Sequence, residues 1–448
     1  MIIVDTVLKR REAEGRPIRV AIIGAGQQAR GIARSIEHST PGMTVVAVAN
    51  RTPERGLKVL GELGLESVSC TTAGQISAAI AAGQRAFTTD ACLLGQAQGI
   101  DAVVEATGQL ESSARAILAA IEGGKHPILM NAELDATVGP VLKLKAEARG
   151  LCYTAADGDQ PGVAGNLLRF VEGIGVRPVC AGSIKGLHDP YRNPATQAAF
   201  SAKWGMTPAM AASFADGTKI SFEQAMMANS RGLKVAKQGM TGPDFSGGDP
   251  YAPLVTLEEA TAALHPVLDA HLAAGGPGLV DYVIGARPNP GVFVIGTMED
   301  PAQKHLLAYY KLGPGPYYLF YAPYHLCNFE TPFSIARAVL FGDPTLAPSG
   351  APSVAVAGLA KKDLEPGEII DELGGFEAYG VLENIETMRA EGLIPLGIAV
   401  GGRLRRPVAK DQPLTFADIE LPEGRTIDAL HAEQEALFAP ATPEEVPA

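Results

Sequence analysis

The sequence has little cysteine and almost no tryptophan. It contains five cysteines and one tryptophan among 448 residues. The cysteines are odd in number, stand far apart and never form the CxxC pair that would suggest zinc or dithiol chemistry. We therefore expect reduced thiols, mostly packed in cores, at Cys70, Cys92, Cys152, Cys180 and Cys327.

Long apolar runs and positively charged runs are also absent. No stretch reaches the roughly 18 uncharged apolar residues of a membrane span, and the N-terminus lacks the apolar segment and cleavage site of a signal peptide. Lys and Arg number 37 against 49 Asp and Glu, a net charge of −12, and no Lys/Arg-rich run stands out. These absences predict a cytoplasmic protein that binds neither a membrane nor a nucleic acid.

The composition that is present, 46% hydrophobic and 19% charged, is that of a globular chain long enough for several domains. From Arg16 an apolar strand, a glycine turn and a helix with apolar residues at helical spacing follow one another. A second apolar strand ends at Ala49, and two more lie within Asp101 to Gly108 and Lys125 to Asn131. Alternating strands and helices predict an α/β fold over residues 1–155, with the parallel sheet of a Rossmann domain.

The glycine turn matches the GxGxxG/A pattern of dinucleotide-binding folds. Gly24 permits the tight turn, Gly26 lets the backbone approach a pyrophosphate, and Ala29 allows close packing of the helix on the strand. The helix starts around Gln27 and Gln28, and its free amides can bind phosphates. A purely structural turn is the alternative, but the strand before it and the helix after it favour a cofactor site.

The end of the second strand distinguishes the two nicotinamide cofactors. An acidic side chain there would bind a ribose 2′-hydroxyl and repel a 2′-phosphate, but this chain has Asn50, Arg51 and Thr52. Arg51 can form charge-assisted hydrogen bonds to a 2′-phosphate and Thr52 can donate another, so NADP(H) is favoured over NAD. A solvated arginine at a helix start is the alternative. The backbone expected to border the nicotinamide ribose, unless it is an ordinary turn, is that of Ala106, Thr107 and Gly108.

The regular alternation is lost beyond residue 155. The following region, 156–342, is predicted as an α+β substrate domain, and a helix predicted from Thr331 to Leu340 can pack back on the first domain. Its strand-like pieces are broken by long Gly/Pro/Asp loops and lie at 179–186, 219–227 and 291–298.

A Pro/Gly/Ser-rich linker over 343–353 precedes the last part of the chain. Short strands and turns predict a small β-rich domain over 354–430. A polar tail over 431–448 is expected to follow, frayed at 440–448.

Several long segments suggest a family, among them GRPIRVAIIGAG, AVVEATG, GGKHPILMNAELDATVGP, LVDYVIGARPNPGVFVIGTM, LGPGPYYLFYAPYHL and AKKDLEPGE. Through them the chain resembles, nearly end to end, the homoserine-dehydrogenase-like oxidoreductases with a C-terminal SAF domain. Within that group it is most similar to the 1-deoxy-D-xylulose 5-phosphate reductoisomerase-like enzymes. The resemblance implies an NADPH-dependent reductase, a SAF-like fold for 354–430 and a homo-oligomer. Homoserine dehydrogenase itself has a lysine after the residue matching Asn131, where this chain has Ala132.

Carbonyl reduction needs a proton donor and a group that holds the developing negative charge. Lys185, near the end of a substrate-domain strand, suits both tasks, and its family counterpart lies in a similar strand; a surface lysine is the alternative. Glu133 and Asp159, together with Asp135 and Asp157, follow apolar strands and are expected at one edge of the sheet. There they can orient substrate hydroxyls or hold a divalent cation, whose ligands the sequence leaves unknown.

Three more residues are candidates for substrate binding. His188 and Arg192, on the loop after Lys185, can meet a phosphate or carboxylate, and His325 can face the cofactor cleft. A solvated loop and a core histidine are the alternatives.

The combined prediction is an NADPH-dependent reductase of a carbonyl in a small polar substrate, phosphorylated or carboxylated, such as 1-deoxy-D-xylulose 5-phosphate or a related ketose phosphate. The alternatives are a homoserine-type dehydrogenase and a non-catalytic sensor of NADP(H) or sugar.

Overall fold

The computed structural model describes residues 4–247 and 254–439. Its first part is a seven-stranded parallel sheet. The strands are β1 (Ile18–Ile23), β2 (Met43–Ala49), β3 (Ser67–Ser69), β4 (Arg85–Thr88), β5 (Ala102–Glu105), β6 (His126–Leu129) and β7 (Thr154–Ala155). They lie in the order β3-β4-β2-β1-β5-β6-β7. This sheet confirms the predicted Rossmann-like α/β fold, although the short strands β3, β4 and β7 were not predicted.

Helices cover both faces of this sheet, which explains why its central strands are apolar on both sides. Ile22 of β1 packs with Ile32 of the following helix, whereas Ala21 packs with Ile76 on the opposite face. The helices of this part are α1 (Asp5–Ala13), α2 (Gln27–Ser39), α3 (Pro53–Glu62), α4 (Ala73–Ala81), α5 (Cys92–Gln96), α6 (Glu111–Glu122) and α7 (Ala132–Glu147). The next helix, α8 (Gln160–Gly173), packs on the sheet formed by the middle of the chain.

The middle of the chain forms a mixed sheet. Its elements are β8 (Arg177–Lys185), α9 (Ala198–Trp204), α10 (Pro208–Ser213), α11 (Thr218–Arg231), β9 (Val255–Thr256), α12 (Leu257–Ala262), α13 (His265–Ala273), β10 (Leu279–Ile284), β11 (Ala286–Arg287), β12 (Gly291–Thr297), α14 (Pro301–Tyr309), β13 (Tyr317–Ala322) and α15 (Cys327–Phe341). The sheet order is β10-β8-β12-β13, with β10 parallel to β8 and the other two pairs antiparallel. Short strands β9 and β11 pair in parallel beside it.

Two of the three strand-like pieces predicted in this region are strands, namely β8 and β12. The third, 219–227, is helical and belongs to α11, so that prediction was wrong. Almost every residue of α11 is buried, and a helix enclosed on all sides shows no apolar stripe in its sequence. Gly217 and Gly232 flank it with φ of +91° and +68°, values that end regular structure and favour glycine. α15 packs against α2, where Ile335 joins the same core as Ile32.

The last part of the chain is built from small antiparallel pairs and short helices. Its elements are β14 (Val354–Ala360), β15 (Ala378–Asn384), α16 (Ile385–Ala390), α17 (Leu396–Ala399), β16 (Arg403–Leu404), β17 (Ile419–Glu420) and α18 (Thr426–Leu437). β14 pairs with β15, and β16 with β17. In the described ranges no helix combines the length and apolarity of a membrane span.

The segment predicted as a polar tail begins inside α18. This helix buries Leu430 and Gln434 against α7, where Gln434 Nε2 donates a hydrogen bond to Thr137 O at 3.2 Å. Lys145 and Glu433 form an ion pair at 2.7 Å beside it. Only three of its twelve residues, Ile427, Leu430 and Gln434, are buried, which is why its sequence looks solvated. Residues 440–448, expected to fray, lie outside the described residues.

A carboxyl group lies in the core beneath α7. Tyr153 OH donates a hydrogen bond to Asp135 Oδ2 at 2.8 Å, and burial raises the pKa of Asp135 to about 7. The folded chain therefore keeps this proton up to neutral pH, whereas the unfolded chain releases it near pH 4, roughly the ordinary aspartate value.

The free energy of unfolding should consequently fall as pH rises from about 4 to about 7, because the unfolded state binds fewer protons in that window. We expect Asp135→Asn to reduce this decline while leaving stability at the acid end close to wild type, since an amide oxygen still accepts from Tyr153. Urea unfolding at intervals across the window measures the effect. An identical pH slope in both proteins would contradict the assignment.

Candidate active site

A cleft of about 1560 Å³ opens at the carboxyl ends of the parallel strands. Ligands of open α/β sheets bind at this edge. Many parts of the chain line it, among them the glycine turn, the start of α3, the loops after β5 and β6, the end of β8 with α9 to α11, the starts of α8 and α15, and loops of the C-terminal region. The single tryptophan, Trp204, is half exposed at its wall.

The glycine turn has the geometry that its sequence predicts. Gly24 has φ +120°, and a Cβ there would lie 3.0 Å from Ala106 O, so only glycine fits without displacing backbone. Gly26 is the N-cap of α2, and no described residue lies within 4 Å of the position of a Cβ there. Gln27 and Gln28 line the cleft, and Ala29 is buried beneath them. The start of α2 is therefore open to a ligand.

The loop after β2 is shaped by Asn50. Its backbone N–H donates to Thr88 O at 3.0 Å and its side chain donates to Thr52 O at 2.8 Å. Arg51 is exposed, and the lining of the cleft includes none of Asn50, Arg51 and Thr52. One turn further on, Arg55 and Lys58 of α3 do line it, and the sequence reasoning missed both.

The loop after β5 packs against the glycine turn, where Ala106 O faces Gly24. Ala106, Thr107 and Gly108 all line the cleft. Thr107 N–H donates to Glu105 Oε1 at 2.9 Å, and Thr107 Oγ1 is 3.0 Å from Ser113 Oγ. Glu105 is fully buried, and that burial raises its carboxyl pKa. This local network fixes the backbone that borders the cleft.

A buried ion pair forms the floor of the cleft. Lys219 Nζ of α11 lies 3.2 Å from Glu133 Oε1 and 3.5 Å from Glu133 Oε2, at the start of α7. Burial alone would lower the pKa of Lys219, but attraction to Glu133, Asp159 and Glu223 raises it above its ordinary value. Lys219 is therefore a fixed positive charge at neutral pH.

Glu223 lies one helical turn beyond Lys219 and also lines the cleft. Burial raises its pKa to about 7, Asp159 adds to that effect, and the ammonium groups of Lys185 and Lys219 oppose it. Glu223 Oε2 and Gln160 Oε1 have no hydrogen-bond partner within the described ranges. Lys185, at the end of β8, has no ion-pair partner among residues 4–247 and 254–439. This part of the cleft thus presents the titratable carboxyl of Glu223, the unpaired ammonium of Lys185 and two unused acceptors, and Gln28 Oε1 and Asp371 Oδ1 are further unused acceptors in the cleft lining.

Three ligand-type side chains meet beside this cluster. Cys327 Sγ is 3.9 Å from Asp159 Oδ1 and 3.7 Å from His325 Nδ1. His325 Nδ1 is also 3.3 Å from Gly158 O. Burial lowers the pKa of His325, so the ring is neutral at pH 7. All three side chains line the cleft.

The structure brings Lys185, Glu133, Asp159 and His325 to one cleft, but not His188 and Arg192. The His188 ring stacks on Tyr282 with centroids 5.5 Å apart, and Arg192 Nε is 3.0 Å from Asp189 Oδ2. Both lie outside the cleft lining because the loop after β8 turns toward the C-terminal region, where Lys361 Nζ donates to Arg192 O.

The four acidic residues expected at one edge of the sheet also divide, because Glu133 and Asp159 line the cleft whereas Asp135 and Asp157 do not. Asp135 points into the core toward Tyr153, and Asp157 accepts from Asn166 Nδ2 at 2.8 Å. The sequence pattern did not reveal Lys219 and Glu223, because it predicts a strand over 219–227. In a helix their spacing of four residues places both on one face, and this pair of opposite charges was the available signal.

Residues 158–331 match the family described as "Oxidoreductase DRL, catalytic domain". The match confirms the predicted oxidoreductase class. It covers less than half of the chain, yet it includes every residue of the clusters above except Glu133. A comparison with curated proteins finds no match.

Solved structures with related folds are distant. GenD2 from gentamicin A biosynthesis, in complex with NAD, is 20% identical with a TM-score of 0.26, over 40% of this chain and 48% of that one. An Agrobacterium radiobacter oxidoreductase in complex with NAD+, L-tartaric acid and magnesium is 18% identical with a TM-score of 0.28, over 38% and 44%. A Lactobacillus plantarum myo-inositol 2-dehydrogenase is 11% identical with a TM-score of 0.39, over 73% and 91%. The chain spans less than half the length of the first two.

Glu223 should titrate near neutral pH. We expect infrared titration of the wild type to show a protonated carboxyl band, with contributions from Glu223 and Asp135, that is lost with a midpoint about 7. Glu223→Gln should remove only the Glu223 contribution, because its amide cannot ionise. The exposed Glu258 of α12 provides the matched control, Glu258→Gln, which should leave the band intact. If Glu223→Gln leaves the titration unchanged, the carboxyl that ionises near pH 7 belongs to another residue.

Proposed function

We propose that the protein is an NADPH-dependent reductase that acts on a carbonyl group of a small polar substrate. The observation that carries the proposal is one cleft that joins an open, glycine-shaped helix start to the buried Lys219–Glu133 pair, with Lys185 and Glu223 beside them. A cofactor site and an acid–base cluster in one cleft are what hydride transfer to a carbonyl requires.

The residues of the glycine turn fit a dinucleotide. The tight approach of Gly24 to Ala106 O and the open space at Gly26 suit a pyrophosphate at the start of α2. The cofactor, when bound, supplies the hydride. Arg51 would meet the 2′-phosphate, with Arg55 and Lys58 of α3 as further cations along the cleft.

The acid–base roles follow from charge and burial. Lys219 stays protonated and stabilises the negative charge that develops on the carbonyl oxygen, while Glu133 holds its ammonium group in place. Lys185 donates the proton to that oxygen. Glu223, whose carboxyl exchanges its proton near neutral pH, returns a proton to Lys185 between turnovers. Asp159 completes the cluster by holding Lys219 and Glu223 in these charge states.

The substrate we favour carries hydroxyl groups and an anionic group. The unused oxygens of Gln160 and Glu223 would accept hydrogen bonds from hydroxyls, and the unpaired ammonium of Lys185 would complement a phosphate or carboxylate as it approaches. 1-Deoxy-D-xylulose 5-phosphate and related ketose phosphates have this chemistry, so they are the first substrates to test.

We propose that the C-terminal region, SAF-like in the resemblance, covers the far end of the cleft. Its residues in the cleft wall are Asp371, Glu372, Leu373, Gly397, Val400, Gly401, Pro422, Arg425 and Ile427. We also propose a homo-oligomer. Exposed aromatic side chains beside the outer strand β13, at Tyr309, Tyr310 and Tyr321, support an interface there.

Cofactor choice tests the first half of the proposal. We expect Arg51→Ala to weaken NADPH binding about tenfold or more, because a charge-assisted pair to the 2′-phosphate is lost, and to leave NADH binding almost unchanged. Fluorescence titration with both cofactors measures this. Arg149→Ala removes an equally exposed arginine that lies just beyond the end of α7 and not in the loop after β2, and it should change neither affinity. Equal losses for NADPH and NADH would exclude a contact to the 2′-phosphate.

Turnover tests the second half. With 1-deoxy-D-xylulose 5-phosphate and NADPH, Lys185→Ala should reduce kcat by about 10²–10⁴-fold through loss of the proton donor, with NADPH affinity unchanged. Lys237→Ala, at an exposed lysine outside the cleft lining, is the control. Oxidation of homoserine in place of ketose reduction would favour a homoserine-type dehydrogenase. Cofactor binding without oxidation by any carbonyl substrate would favour a sensor.

A further inference from the structure

Asp159, His325 and Cys327 form a set of three different metal-ligand types at one point of the cleft. Their ligand atoms all lie within 4.8 Å of one another. The fold builds this set from two helix starts, since Asp159 is the N-cap of α8 and Cys327 is the first residue of α15. None of the acid–base roles proposed above needs the thiol or the imidazole. The set is not visible as a sequence motif because His325 and Cys327 lie 166 and 168 residues after Asp159.

The spacing suits a tetrahedral ion. Zinc lies about 2.3 Å from a thiolate sulfur and about 2.0–2.2 Å from a histidine nitrogen or carboxylate oxygen, so tetrahedral ligands stand roughly 3.6 Å apart across the sulfur. The observed distances from Cys327 Sγ are 3.7 Å to His325 Nδ1 and 3.9 Å to Asp159 Oδ1. The two Cys327 pairs are thus within a few tenths of an ångström of the spacing that an ion requires, and the third pair, His325 with Asp159, lies within 4.8 Å. Magnesium prefers six oxygen ligands, so a Cys–His–Asp set favours zinc-class ions.

The set is open on one side. All three side chains line the cleft, and three protein ligands with an open fourth position are typical of catalytic zinc sites, whereas structural sites have four. The open position faces the same cleft as Lys185 and Lys219. A small oxygen ligand entering the cleft can occupy it.

The surrounding charge is close to balanced before an ion binds. Glu133 and Asp159 contribute two carboxylates and Glu223 a carboxyl that ionises near pH 7, against the two ammonium groups of Lys185 and Lys219. Lys219 is already paired with Glu133 at 3.2 Å, which leaves the Asp159 carboxylate available. The nearest competing contact, between His325 Nδ1 and Gly158 O at 3.3 Å, is long for a hydrogen bond.

From these distances, this exposure to the cleft and this charge balance we infer that Asp159, His325 and Cys327 bind one zinc-class divalent ion. The thiol binds as thiolate and its proton passes to solvent. His325 changes to the tautomer with its proton on Nε2, so Nδ1 gives up its contact with Gly158 O and offers a lone pair to the ion. The inference goes beyond the proposed function, because binding of the ion requires neither the nicotinamide cofactor nor a carbonyl substrate.

Cobalt substitution tests the site directly. Purified full-length protein, stripped with a chelator, is titrated with Co²⁺ alone, and absorption is followed in the near-ultraviolet and visible ranges. We expect a thiolate-to-cobalt charge-transfer band that saturates at one ion per chain and is displaced by Zn²⁺. Cys327→Ser should abolish the band, and His325→Gln and Asp159→Asn should each weaken Zn²⁺ binding about tenfold or more.

Cys92→Ser is the matched control, because Cys92 is a partly buried thiol of α5 that belongs to no such set. It should leave the charge-transfer band unchanged. Circular dichroism and NADPH titration of Cys327→Ser show whether the variant is folded. The inference is overturned if no charge-transfer band forms, or if the band persists in folded Cys327→Ser. Neither result depends on whether a ketose phosphate is reduced, so failure of the site and failure of the proposed function are distinguishable.

Discussion

The buried ion pair between Lys219 and Glu133 ties α11 to α7, and with it the middle of the chain to the parallel sheet. Removing either partner would leave an uncompensated buried charge, which costs about 3–5 kcal/mol. Hydrogen bonds extend from the same helix in other directions. Ser221 Oγ donates to Gly380 O at 3.0 Å, Gln224 Nε2 donates to Ser183 Oγ at 3.1 Å, and Asn229 Oδ1 accepts from Ser353 N at 2.8 Å. α11 thus contacts every part of the fold, and its charged face sets the electrostatics of the cleft.

Desolvation explains why these few charges have such different states. Lys219 is held positive chiefly by the carboxylates of Glu133 and Asp159, whereas Glu223, deprived of water and facing Asp159, keeps its proton to about neutral pH. Groups whose environments move their pKa values apart are characteristic of acid–base sites. The same low-dielectric surroundings make the cleft intolerant of unpaired charge, so its free acceptors and its unpaired ammonium are best understood as positions that a ligand fills.

Much of the first domain could be predicted because its signals are local. The glycine turn at Gly24 to Ala29 and the apolar runs of β1, β2, β5 and β6 each depend on neighbouring residues, and the structure has all of them. α11 could not be predicted in the same way. Its apolar residues pack against elements on several sides, among them α7, α8 and β15, so no single apolar stripe marks the helix. Lys219 and Glu223 were missed because the helix itself was not predicted. His188 and Arg192 failed for a related reason, because the direction of a loop is set by distant contacts such as that of Lys361.

The chain's one tryptophan has a consequence of its own. Trp204 stands half exposed at the cleft wall, next to Lys203, whose ammonium lies 5.1 Å from the indole centroid. Because there is no second indole, all of the protein's tryptophan emission originates at the mouth of the cleft. A reduced nicotinamide ring absorbs where indole emits, so resonance energy transfer from Trp204 gives the distance to the ring without any label. Trp204 is therefore an intrinsic donor for distance measurements, placed where the cofactor and substrate would meet.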